Sequence, residues 1–412
     1  YDYGLEGRDE DNEIDLTPEI RLEAQWLLTD SVVTYASVHA NHEFDLQRSG
    51  GGSGKTVNVD LANLWLLKTR LFDTPFALQV GRQRIRERRE LWWDDNLDAI
   101  RLHYFGSKWS AYAGVGRPVM DAAADADERL AAKGIQYRFA TLQWQWAKRQ
   151  SVEIFALQHA DLSASYQINQ VLDSDRLDSK DASLFWLGAR ARGCLRAPFP
   201  RRVCYWGDVA KIDGHETDYD FSDAGQNLSL VDERTREDVS GSAYDVGMNL
   251  EFPFWLRPVL TVGRARGSGD RSQSSGRNED FRQSGLHQND FKHLGNRRFR
   301  GFGEVLRPDL ANIRIDTIAL GIPVNESMWI ETLWHRYQQI HPSEQVAGSS
   351  LNLDPNGNNP RLGDAIDFVL SHRPDSGWQF GFTAGVFRAG AAYGRQQGRI
   401  AGLVEVDLRY SF

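Results

Sequence analysis

The densest chemistry in this chain is a run of guanidiniums. Gly81-Arg82-Gln83-Arg84-Ile85-Arg86-Glu87-Arg88-Arg89-Glu90 is followed by Trp92-Trp93-Asp94-Asp95-Asn96. Arg82, Arg84 and Arg86 are spaced by two, so an extended strand puts them on one face. A row of guanidiniums receives carboxylates, because each offers a planar fork of donors. The plain alternative is a solvated charged face. Arg264 and Arg266 repeat the spacing before Gly267-Ser268-Gly269, and Arg297, Arg298 and Arg300 crowd together before Phe302-Gly303-Glu304.

Other chemistries are weaker. Gly50-Gly51-Gly52-Ser53-Gly54-Lys55-Thr56 resembles a phosphate-binding loop, but the required first glycine falls on Ser49 and strand-like segments flank it. It reads as an outer loop. Glycoside hydrolysis would need two carboxylates about 5–10 Å apart; Asp94, Asp95, Asp364 and Asp367 are candidates, though such pairs arise by chance in any acidic chain. No nucleophile elbow anchors a Ser-His-Asp triad, and no Cys/His spacing suggests zinc. No cofactor or metal is implied. Cys194 and Cys204 flank a turn and could pair across it in an oxidising compartment.

The elements that must carry these residues have a period of two. From Ile400 to Phe412, Ile400, Val404, Val406, Leu408, Tyr410 and Phe412 alternate with Arg399, Glu405, Asp407, Arg409 and Ser411. Ile20, Leu22, Ala24 and Trp26 alternate with Glu19, Arg21, Glu23 and Gln25. Ile100 and Leu102 oppose Arg101 and His103, and Phe185 and Leu187 oppose Arg190 and Arg192. One face is apolar; the other carries charges and amides, which suits a wet lumen better than a dry core. Three arginines in a row cannot face lipid, where each costs roughly 2–4 kcal/mol at mid-depth. Yet Phe76, Leu78 and Val80 share their parity, so either the strand slips at Gly81 or the lower pore is apolar.

Short turns are expected at Leu28–Ser31, Phe72–Pro75, Gly106–Lys108, Ala147–Gln150, Cys194–Arg202, Phe252–Pro258, Val324–Ser327 and Pro374–Gly377. Long loops are expected near Val119–Asp127, Leu162–Lys180, Gly214–Ser240, Gly267–Arg300 and Gln339–Pro360. Short periplasmic turns alternating with long extracellular loops are the pattern of an all-β transmembrane antiparallel barrel. About eighteen strands are expected over one domain, residues 1–412, with both ends periplasmic. The bulk properties agree. The 412 residues include 13 Trp, 13 Tyr and 20 Phe, enough for two interfacial aromatic girdles, and only 2 Cys. A mean hydropathy of -0.51 fits a barrel, since only alternate strand residues meet lipid. A net charge of -9 argues against nucleic acid as a partner. The start at Tyr1, without a basic-then-apolar leader, is expected of a mature or trimmed chain.

These segments resemble the alginate-export family of outer-membrane channels. The resemblance rests on Gly81-Arg82-Gln83-Arg84 with Trp92, Asp94 and Asn96; His159-Ala160-Asp161; Ala265-Arg266-Gly267-Ser268-Gly269; Gly285-Leu286; Phe302-Gly303-Glu304 with Arg307, Leu310 and Asn312; and Gly385-Val386-Phe387-Arg388 with Gly390, Ala392, Tyr393 and Gly394. They follow the family's order across nearly the whole chain. The resemblance implies an eighteen-stranded monomeric barrel in the bacterial outer membrane. It implies a constricted, positive conduit for an anionic polyuronate, loop gating and a periplasmic export scaffold. Arg84 and Arg298 match pore-lining arginines of the family, and Asp94 a lining acid. Other family arginine positions fall on Thr17, Ala62, Gly381 and Thr383. Either the conduit is wider or less positive, or Arg21, Arg101, Arg190 and Arg192 compensate; Arg264 and Arg266 would be further rungs. The rival readings are a diffusive porin for acidic oligosaccharides or small anions and, further off, a surface carbohydrate-active enzyme.

Overall fold

The computed structural model describes residues 13–48, 56–118, 134–174, 177–271 and 276–412. The glycine-rich stretch from Gly50 to Lys55 and the loop near Val119–Asp127 lie outside the described residues.

One antiparallel sheet dominates. Its seventeen long strands are β1 Glu19–Thr29, β2 Val32–Arg48, β3 Thr56–Lys68, β4 Phe76–Arg86, β5 Asp94–Phe105, β6 Trp109–Pro118, β7 Ile135–Ala147, β8 Gln150–Asp161, β9 Lys180–Arg196, β10 Arg202–Gly225, β11 Leu228–Glu251, β12 Val259–Gly267, β13 Ile313–Pro323, β14 Met328–Gln339, β15 Arg361–His372, β16 Trp378–Ala389 and β17 Ile400–Tyr410. Each pairs with the next in the chain, and the eight expected short turns all connect hairpins at one end. Even parity, with both ends at the periplasmic side, is not what the described residues display. Among them β1 runs in the same sense as β17, from loop end to turn end, and no backbone ladder joins the two.

Lipid explains the alternation. Outward residues are apolar and exposed, as at Val404, Val406 and Leu408. Inward residues are polar and buried, as at Gln79, Thr261, Glu331, His335 and Asp367. A water-soluble fold has the opposite arrangement. Aromatic side chains collect near the turn end, where Trp109 stacks on Trp144 at 5.5 Å and Trp378 lies 4.8 Å from Tyr410.

The expected loop Gly214–Ser240 is not a loop. β10 and β11 are each 24 residues long and continue through it to a tight turn at Gln226 and Asn227, both at positive φ. Above the bilayer no lipid selects an apolar face, so this projecting hairpin carries charge on both sides and its period is hidden. Cys194 and Cys204 are directly opposed in the β9–β10 ladder and form a disulfide, as the spacing suggested.

The lumen is partly filled. The described part of the segment between β12 and β13, residues 268–271 and 276–312, folds inward and meets the β4–β5 connection. Gln283 donates to the Leu91 carbonyl at 2.7 Å, the Asp94 amide donates to the Leu286 carbonyl at 2.5 Å, and Trp186 Nε1 donates to the Arg282 carbonyl at 2.8 Å. Trp92, Trp93, Phe155, Phe281 and Phe291 form the apolar heart of this packing.

Candidate functional site

The arginine run is displaced from the barrel wall. The ladder between β3 and β4 stops at Leu64–Arg82, while β4 and β5 stay paired to Arg86–Asp94. Gly81 sits at the point of departure with φ +119°, and a Cβ there would stand 2.3 Å from the Leu64 carbonyl. The tip of the hairpin therefore leaves the wall and leans into the lumen. No register slip occurs, and the lower pore is not apolar. Phe76 and Val80 face lipid, whereas Arg84 and Arg86, of the same parity, face the lumen beyond the bend.

The tip is a charge lattice. Arg84 forks onto Asp94 with both bonds at 2.5 Å, and Arg86 pairs with Glu90 and reaches Asp94 at 3.6 Å. Arg298, from the inserted segment, pairs with Glu90 at 2.6 Å and donates to the Arg88 carbonyl at 2.7 Å. Burial and the neighbouring Asp94 carboxylate push the Glu90 carboxyl above the usual range, against the pull of Arg298 and Arg86. Arg82 pairs with Asp98 at 3.2 Å and donates to the Leu61 carbonyl at 3.0 Å, which ties the hairpin to β3.

Three of these side chains border a lumenal cavity of about 610 Å³, lined by Arg84, Arg86 and Arg298 on one side and by Arg21 of β1, Arg373 and Arg409 on the other. Lys292 and Arg298 also line a second cavity of about 580 Å³ at the turn end, with Arg88, Arg149, Arg192 and Arg202. Guanidiniums thus surround adjoining spaces. A smaller pocket of about 210 Å³ lies between Arg300, Arg307, His287 and Asp309.

The other expected rungs divide. Arg21 and Arg192 line the cavities. Arg101 faces inward but is held by Gln79 at 2.7 Å over the Tyr112 ring. Arg190 is buried among Glu87, Glu153 and Asp208, all within 3.4 Å, and lies over Phe155. Its charge is consumed in holding the β4–β5 connection to the wall. Arg264 and Arg266 are not rungs. They share the outward face of β12 with the exposed Val262, and Arg264 pairs with Asp316 at 2.5 Å on the outside of β13.

Arg297, which the sequence places in one crowd with Arg298 and Arg300, takes a particular position. It fills the place where Gly381 has no side chain: a Cβ on Gly381 would lie 1.8 Å from Arg297 Nη1. Glu405 and Asp407 of β17 hold it, each at 2.6 Å. The resemblance leads to a basic residue at Gly381; here the loop supplies one from across the lumen. Arg373, Arg409 and Lys292 had little to mark them in the sequence.

The paired-acid candidates do not converge. Asp364 faces outward beside Ile366, Asp367 faces inward beside His335, and Asp94 is saturated by two arginines. Thr317, His335 and Asp367 line up on neighbouring strands, with Thr317 Oγ1 2.9 Å from His335 Nδ1 and the imidazole 3.5 Å from Asp367. His335 and Asp367 are fully enclosed and Thr317 is buried, so no substrate reaches them. Among the described residues no cluster of His, Cys, Asp and Glu could hold a metal ion.

An apolar outer band, a charged lumen and inserted loops define an outer-membrane β-barrel of the porin type. A solved barrel of that class, OccK7 (OpdD) of Pseudomonas aeruginosa, superposes with a TM-score of 0.54 at 11% identity, covering 97% of this chain and 94% of its own. The chain belongs to the alginate-export family, whose model, described as "Alginate export", matches residues 28–407. Among its relatives is the alginate production protein AlgE of Pseudomonas aeruginosa, 26% identical over 341 residues, which cover 77% of this chain and 67% of the relative. AlgE of Pseudomonas syringae pv. tomato is 25% identical over 288 residues, which cover 68% and 55% respectively. The chain thus spans between about half and two thirds of the length of these relatives.

Proposed function

We propose that this barrel exports an anionic exopolysaccharide, an alginate-like polyuronate, across the outer membrane. The observation that carries the reading is the pair of adjoining lumenal cavities ringed by Arg21, Arg84, Arg86, Arg192, Arg298, Arg373 and Arg409. Uronate carboxylates would pass from one guanidinium to the next. Asp94 and Glu90 compete for Arg84, Arg86 and Arg298, so each hold stays weak enough to release. The whole chain acts as one domain and one monomer, surrounded by outer-membrane lipids, and a periplasmic scaffold delivers the polymer. The driving force comes from polymer synthesis. No bond is made or broken, in keeping with acids that are ion-paired or enclosed.

Reconstitution in planar bilayers tests this. The intact chain should prefer anions, and polyuronate added at the turn end should block ion current. Substituting Arg84→Gln and Arg298→Gln together should abolish both effects. Unchanged selectivity and block in that variant would count against the ladder. A diffusive porin for small anions would pass free uronate and resist block by the polymer.

A further inference from the structure

The outer surface of the barrel carries a second arginine array that the conduit does not use. In the ladders of β12 to β16 one rung reads Arg264, Asp316, Arg336, Asp364 and Arg388, each directly opposite the next. One step nearer the loop end, Arg266 stands opposite Arg314, and Arg314 opposite Gln338. Arg361 closes the patch by reaching Asp364 at 3.3 Å. All these side chains share faces with lipid-facing residues, namely Val262, Ile318, Trp334, Ile366 and Val386.

Six guanidiniums stand here against two carboxylates. Asp316 serves Arg264 at 2.5 Å and Arg314 at 3.4 Å; Asp364 serves Arg336 at 2.9 Å as well as Arg361. Among the described residues Arg266 and Arg388 have no acidic partner. Arginine on an outward face is excluded from the hydrocarbon and marks the headgroup level. Below the patch the outward residues are apolar, as at Ile318 and Leu320, or Ile366 and Phe368. It lies at the loop end, hence in the outer leaflet. The turn end shows aromatic side chains at the corresponding level.

We infer that this face of β12–β16 is a binding site for the phosphates of an outer-leaflet glycolipid. The ligand chemistry is a diphosphorylated disaccharide headgroup with acyl chains lying along Val262, Ile318 and Ile366. Two phosphates suit a patch about five strands wide, where neighbouring strands stand about 4.8 Å apart, and guanidiniums fork onto phosphate oxygens. The site depends on the barrel and its membrane and not on what crosses the lumen.

The test uses the full chain folded in detergent, with a diphosphorylated diglucosamine glycolipid as probe and native mass spectrometry to count bound lipid. Combining Arg264→Gln, Arg266→Gln, Arg336→Gln and Arg388→Gln should lower retention roughly ten-fold. The dephosphorylated glycolipid should be held no better by the parent than by the variant, and phosphatidylglycerol should compete poorly. Heat-modifiable gel mobility reports whether each variant is a folded barrel. Asp316→Asn with Asp364→Asn removes the two acids and should raise retention. Equal retention of phosphorylated and dephosphorylated probes, equal competition by phosphatidylglycerol, or no change in either variant would overturn the inference.

Discussion

The guanidinium of Arg297 occupies the volume that a side chain on Gly381 would need, clamped there between Glu405 and Asp407. The inserted segment and the last two strands are joined at this point. Gly381→Leu should expel Arg297 and loosen the segment. Single-channel conductance in potassium chloride should rise roughly two-fold or more. Arg297→Gln should do the same, and the double variant should add little further. Independent, additive effects would mean that socket and clamp are unrelated.

Arg190 is the buried tie between the wall and the β4–β5 connection. Arg190→Ala would leave Glu87, Glu153 and Asp208 without their shared cation. Stranding buried charges of this kind costs about 3–5 kcal/mol. Urea unfolding in lipid vesicles should show a loss near that size, and a loss below about 1 kcal/mol would show that water reaches the cluster.

Gly81 permits the hairpin to leave the wall. Gly81→Val must abandon φ +119° or collide with the Leu64 carbonyl. A cost of about 1–3 kcal/mol is expected, along with a shift of the tip towards β3. A spin label at position 88 should then move away from one at position 373. An unaltered distance distribution would mean that the bend has another cause.

Glu90 sets a pH dependence. Its carboxyl is raised by burial and by Asp94, so it takes up a proton at a higher pH than an ordinary glutamate. Proton uptake removes a negative charge and releases Arg86 and Arg298 to the conduit. Anion preference should therefore grow as pH falls from 8 to 5, and Glu90→Gln should flatten the profile. Reversal potentials in asymmetric salt measure this directly.

The strands and turns were legible because lipid and lumen act on every second residue, as from Ile400 to Tyr410. Where lipid is absent the code fades, and Gly214–Ser240 looked like a loop although it is a hairpin. Arg84, Arg298 and Asp94 were read from their surroundings and the resemblance; Arg84 and Arg298 line one cavity, and Asp94 lies behind it, bonded to Arg84. Arg264 and Arg266 had the same spacing as Arg84 and Arg86, yet they stand outside, because guanidiniums above the hydrocarbon band are as acceptable as guanidiniums within the lumen. Gly81 decides which applies, and its backbone angle is invisible in the sequence. Arg297 could not be assigned from spacing, because its partner site is more than eighty residues away.

The packing inside the lumen has a mechanical consequence. With Trp92, Trp93, Phe155 and Phe281 packed together inside the barrel, the cavity beside Arg84 and Arg86 is left against one stretch of wall, formed by β15, β16, β17 and β1. A polymer there would be gripped on one flank like a rope drawn over a rail, turning each sugar towards the same wall as it passes.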